Sequence, residues 1–214
     1  MRTYVRRMFA ASAVAALVLA LPQVALAGPK DKQPVFDFET GEPVAGAFAQ
    51  VDRTDDAVVS KVRTRVEPGH AVTLWYVIFN NPDACLGGAC GEDDIFSAPG
   101  VFNFEQIEAA RISVVWGKAG DVANPAGRAK LDGGLAVGEV PTSAGITVVI
   151  GKPNDGALVP GVATGLEHTA AEVHLVIQDH GPAQDDPDLL ELQLTGFQGG
   201  CNPNCVDIQF SVHK

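Results

Sequence analysis

The chain has 214 residues and a formal net charge of −11, with 26 acidic against 15 basic side chains. That balance repels phosphate backbones and anionic lipid heads, so no nucleic-acid partner is expected, whereas cations, basic proteins and neutral ligands stay open.

Arg2, Arg6 and Arg7 precede an apolar run over 8–21, and Ala25-Leu26-Ala27 comes before Gly28. Basic, apolar and small-residue regions in that order predict a secretory signal peptide over residues 1–27. The run is shorter than a membrane span needs, so no stable span is expected after cleavage. Arg6-Arg7 is compatible with twin-arginine export as well as the general route, and the sequence leaves both open. Cleavage leaves 187 residues, enough for one domain, and moves the net charge to −14. The mature product is expected in the periplasm or outside the cell.

Residues 28–34 are polar and read as a flexible lead to a single β domain over 35–214. Short strands are expected over 35–38 and 44–51. Over 57–66, Val62, Thr64 and Val66 fall on one face and Lys61, Arg63 and Arg65 on the other. This is a half-exposed strand whose cations serve solubility and edge protection. Residues 71–79 are apolar on both faces, as in a central strand of a two-layer domain. The loop over 80–99 carries Cys85 and Cys90 with Asp83, Glu92, Asp93 and Asp94, carboxylates that do not match the twelve-residue calcium loop and read as a solvated acidic loop. Strands are expected over 101–107 and 111–118, with one turn of helix within 104–112 as the alternative. Ala129 and Leu131 lead to a hairpin turn at Gly133-Gly134.

A short strand is expected over 145–150, closed by the turn 151–156, which lacks the Gly-Lys-Ser/Thr of a phosphate loop. The clearest strand is 171–178, with Val173, Leu175 and Ile177 on one face and His174, Val176 and Gln178 on the other. It runs into Asp179-His180-Gly181-Pro182 and an acidic turn with Asp185, Asp186 and Asp188. Residues 189–194 read as a strand pairing antiparallel with 172–178. After a second cysteine turn, Cys201 to Cys205, a last strand covers 206–213. Nine or ten short strands divided by Gly, Pro and Asn turns predict an all-β domain, a Greek-key sandwich or barrel-like fold.

Four cysteines allow three connectivities. Local bridges Cys85–Cys90 and Cys201–Cys205 are favoured because each pair brackets a turn, with cross-pairing and a four-thiolate zinc site as alternatives. The candidate metal or functional rim is His174, Asp179 and His180, with His70, His168 and His213 as further ligands. Six residues of strand separate His174 from His180 by roughly 20 Å, so a shared metal would require the chain to turn back near Asp179. No nucleophile elbow is present, and an Asp179–His180 dyad points to opposite faces. Trp75, Tyr76, Trp116 and Phe197 could line a sugar-binding face, but their apolar strands favour core packing.

The motifs Asn81-Pro82-x-x-Cys85, Ala171-Glu172-Val173-His174-Leu175-Val176 with His180-Gly181-Pro182, and Gly199-Gly200-Cys201 to Cys205 resemble a group of secreted bacterial proteins of unknown function. The strand at 171–182 also resembles, more faintly, the chordin-type β-rich extracellular module. These resemblances imply a β fold and no catalytic residue. The functional expectation is an exported, non-enzymatic domain that binds a cell-surface component, a matrix polymer or a protein partner through its rim loops, with no cofactor. The alternative is a divalent-metal or redox protein centred on His180.

Overall fold

In the computed structural model the described residues are 31–98, 101–141, 165–195, 200–203 and 205–214. The expected signal peptide, the strand over 145–150, its closing turn and Phe197 lie outside them. Among the described residues the chain is mostly β, with eleven strands in three antiparallel sheets, and no barrel closes. No helix there is long and apolar enough to cross a membrane.

The first sheet has the order β1 (Asp31–Gln33), β3 (Phe48–Arg53), β4 (Ala57–Arg65), β9 (Arg128–Ala136). The second has the order β2 (Phe36–Asp37), β11 (Val206–His213), β10 (Glu172–Pro182), β5 (His70–Phe79), β8 (Ile112–Val122). Period-two alternation sends Val51, Val58, Val62, Leu131 and Leu135 from the first sheet against Leu74, Tyr76, Ile78, Val173, Leu175 and Ile177 from the second, all buried. A second apolar layer covers the other face of the second sheet. Trp75, Val77, Phe79 and Val176 pack there under Ile107, Ala110 and the Cys85–Cys90 bridge. That layer is built by the helix α1 (Glu92–Ile95), the small hairpin β6 (Phe96–Ala98) and β7 (Val101–Phe102), and the helix α2 (Phe104–Ala109). Covered on both sides, β5 needs residues that tolerate burial at nearly every position, and apart from His70 at its start and Thr73 its sequence is apolar.

Four local expectations are corrected. The lead is not loose throughout, because residues 31–33 form edge strand β1, whose pairing with β3 uses backbone groups available to any polar sequence. Residues 101–107 divide between β7 and α2, whose N-cap Asn103 accepts from Gln106 N. Residues 189–194 belong to a third helix, α3 (Pro187–Thr195), so β10 pairs with β5 and β11 instead. Pro187 suits the first turn of that helix, and the Asp186 carboxylate accepts from Asp188 N and Leu189 N. Gly133-Gly134 is no turn; it lies inside β9, opposite Ser60 and Val59.

The glycine at 133 has a packing reason. A Cβ there would overlap the Gly117 carbonyl oxygen and crowd the Tyr76 hydroxyl, and one at Gly117 of β8 would strike the Tyr76 ring. Tyr76 is thereby buried whole, its hydroxyl 2.6 Å from Ser60 Oγ, and burial pushes its ionisation well above the ordinary phenol range. Tyr76→Phe should cost about 1–3 kcal/mol, because Ser60 keeps a buried hydroxyl without its partner. Adding Ser60→Ala should restore part of the loss in urea unfolding; a double variant no more stable than Tyr76→Phe alone would refute the pairing.

Candidate functional site

β10 runs between β5 and β11 and delivers the His180-Gly181-Pro182 turn to one end of the sandwich. His180 lies in the irregularity that follows Asp179, beyond Gln178, which faces Thr73 of β5, and is fully buried. Its Nδ1 lies 3.2 Å from Cys205 Sγ and its Nε2 lies 2.8 Å from Thr73 Oγ1, which also accepts from the Trp75 indole at 3.0 Å. These partners define the tautomer. A disulfide sulfur has no proton to give, so Nδ1 carries the hydrogen. Thr73 uses one lone pair on the indole N–H and donates its own proton to Nε2. The imidazole is therefore neutral, and burial lowers its pKa to about 4 despite the opposing pull of Asp179.

The turn around His180 has its backbone groups satisfied. Asn202 N and Gln193 Nε2 donate to His180 O, Gln193 Nε2 and Asn202 Nδ2 donate to Pro182 O, and Asp179 Oδ1 accepts from Gly181 N. Gln193 and Asn202 carry no signal at short range, since their partners are 9 to 22 residues away in sequence and meet only when α3 and the second cysteine turn fold over the end of β10. Thr73 was equally hidden, appearing only as one small polar residue in an apolar strand.

The remaining rim candidates separate. His70 donates from Nδ1 to the Asp179 carboxylate at 2.9 Å, joining the start of β5 to the end of β10. His174 donates to Glu172 at 2.8 Å and packs its ring 4.8 Å from that of Phe79. His168 donates to Asn80 O, and His213, fully buried, donates to Asp31 Oδ2 at 2.9 Å. His213 is in register with Val173, roughly 20 Å along the strand from His180. Burial lowers the pKa of His174 and His213, opposed by Glu172 and Asp31 respectively.

Both expected local disulfides are present, Cys85–Cys90 and Cys201–Cys205. Of the acidic residues, Asp94 is buried and accepts from Leu86 N, Gly91 N and Gln106 Nε2, so it organises the first cysteine loop. Asp186 caps α3. Asp83, Glu92, Asp93, Asp185 and Asp188 are exposed. The one group of three or more metal-ligating side chains among the described residues is His180 with Cys201 and Cys205, whose ligand atoms lie within 4.8 Å of one another.

The outer face of the first sheet is the second candidate. β4 lies between β3 and β9, so its cations protect no edge. In register, Arg65 faces Arg128, Arg63 faces Lys130, and Lys61 faces Asp132. Lys61 also faces Gln50, which faces Lys32 of β1, and the Lys32 ammonium sits 3.9 Å over the Phe48 ring. Six of the chain's 15 basic residues thus occupy one sheet face. Asp132 pairs with Arg63, and the Asp121 carboxylate accepts from Lys130 N. A cavity of about 210 Å³ opens beside Gly46, Arg63, Arg65, Arg128 and Lys130.

No family model, curated protein or solved structure matches the chain.

Proposed function

We propose that this is an exported, non-enzymatic binding domain whose ligand is an acidic matrix polysaccharide, held on the outer face of the β1–β3–β4–β9 sheet. The carrying observation is that Arg65 stands opposite Arg128 and Arg63 opposite Lys130 on neighbouring strands, with Asp132 the ion-pair partner of Arg63. Like charges directly opposite one another reduce stability on their own, and an anionic ligand across Arg65 and Arg128 turns that repulsion into favourable contacts. The surrounding chain is strongly acidic, so this face is the local exception to a negative field. Alternate residues on a strand stand about 7 Å apart and neighbouring strands about 5 Å apart, which spreads the cations into a grid suited to an extended polymer. Aromatic stacking of bases is disfavoured on this face, since the Phe48 ring is covered by Lys32.

The rim loops serve this reading as a frame. Asp94, Asp186, Gln193 and Asn202 spend their polar groups on backbone partners. The two disulfides fit an oxidising compartment and order the loops.

The test is binding of the mature protein to polygalacturonate, with neutral dextran as control. Affinity should appear at low salt for the acidic polymer alone and vanish near about 1 M salt, where screening reaches within about 3 Å. Arg65→Glu with Arg128→Glu should weaken it about tenfold or more. Equal retention by dextran, or an unaltered affinity in the double variant, would refute the proposal.

A further inference from the structure

We infer that the Cys201–Cys205 bridge and His180 form a copper(I) site that exists only in the reduced protein. This inference is independent of the sheet face and rests on the geometry at the end of β10. Three potential donor atoms, one imidazole nitrogen and two sulfurs, already lie within 4.8 Å of one another. Both cysteines are half-buried, so a reductant has access, while the fully buried His180 is fixed in place. Its Nδ1 faces the sulfur of Cys205 and its Nε2 faces the Thr73 hydroxyl, the arrangement in which one ring nitrogen ligates and the other is held by an outer partner.

The donor set selects the ion. Two thiolates are soft ligands and imidazole accepts copper and zinc alike, so the set favours copper(I) or zinc. Zinc held by the three donors of this group needs a water to complete its four-coordinate shell, whereas copper(I) is satisfied by three. The nearest carboxylate in sequence, Asp179, points to the opposite face and is engaged by His70 and Gly181. These three donors therefore suit copper(I).

The steps balance. A dithiol reductant gives two electrons and two protons; the Cys201–Cys205 sulfur bond breaks, two thiols form and the dithiol becomes a disulfide. Copper(I) then displaces both thiol protons to solvent and binds Nδ1. The imidazole hydrogen moves from Nδ1 to Nε2, where it is donated to Thr73 Oγ1. A hydroxyl oxygen can accept from both the indole and the imidazole, so Thr73 supports either state.

The experiment uses the mature chain carrying Cys85→Ser and Cys90→Ser, so that the only thiols are those at 201 and 205. Reduced with a dithiol, freed of the reductant without air and titrated with copper(I) against a chelating indicator, it should retain one equivalent. The same protein left oxidised should retain none. His180→Gln should weaken retention at least about tenfold. Where that variant loses its circular dichroism spectrum, the ring resonances of His180 in the parent protein give the answer, and they should move on copper addition. Equal retention by oxidised and reduced protein, no retention by the reduced protein, a folded His180→Gln variant with unchanged affinity, or unmoved His180 resonances would each overturn the inference.

Discussion

Gly181→Ala should destabilise the domain by about 2–5 kcal/mol, the sum of two separate penalties. Its φ is +82°, in the region where a side chain costs about 1–2 kcal/mol. A Cβ there would also overlap the carbonyl of Asn202, whose backbone N–H donates to His180 O. Relief of that overlap requires the second cysteine turn to move away from His180, adding a packing loss of about 1–3 kcal/mol. Gly41 is the control. Its φ is +69°, yet nothing lies within 4 Å of a Cβ built on it, so Gly41→Ala should show the backbone penalty alone. Urea unfolding of the two variants measures the difference. Equal losses would mean that the 200–203 turn does not close over the end of β10.

Acid should remove about 3 kcal/mol of stability through His180 alone. The sign follows from the direction of the shift. The folded-state pKa, about 4, lies below the ordinary value of 6.5, so between those values the unfolded chain binds the proton and the folded chain does not. The stabilising difference is complete above about pH 6.5, falls as pH drops, and is spent near pH 4. His174 and His213 are lowered as well, so they add loss in the same direction below their unfolded pKa. Thermal unfolding of the disulfide-bonded protein across this range checks the expectation. His180→Gln should flatten the slope between pH 6.5 and 4, and an unchanged slope would exclude His180 as its main source.

Where burial imposes a period of two, the sequence carries the strand plainly. β10 shows Val173, Leu175 and Ile177 in the core, and β5 is apolar apart from His70 and Thr73 because both of its faces are covered. The helix α3 is ambiguous by the same test, since Leu189, Leu190, Leu192 and Leu194 satisfy either period. Its capping by Asp186 and Pro187 decides the matter, and that cue is weaker than a run of leucines. The candidate sites are legible only by halves. Lys61, Arg63 and Arg65 show on one strand, but Lys32, Arg128 and Lys130 become their neighbours through long-range register. His180 and Cys205 are each conspicuous in sequence, while their 3.2 Å contact depends on how β11 enters the sheet.

The placement of β11 has a kinetic consequence. The strand at the C-terminal end of the sequence lies between β2 and β10, and Phe210 pairs with Phe36 near the other end. The second sheet is therefore incomplete until nearly the whole chain is present. Contacts so distant in sequence require large loops to close before they contribute, and proteins dominated by them fold slowly. A chain emerging end first cannot lock this sheet early. The sheet acquires its shape as a late, collective event once β11 arrives.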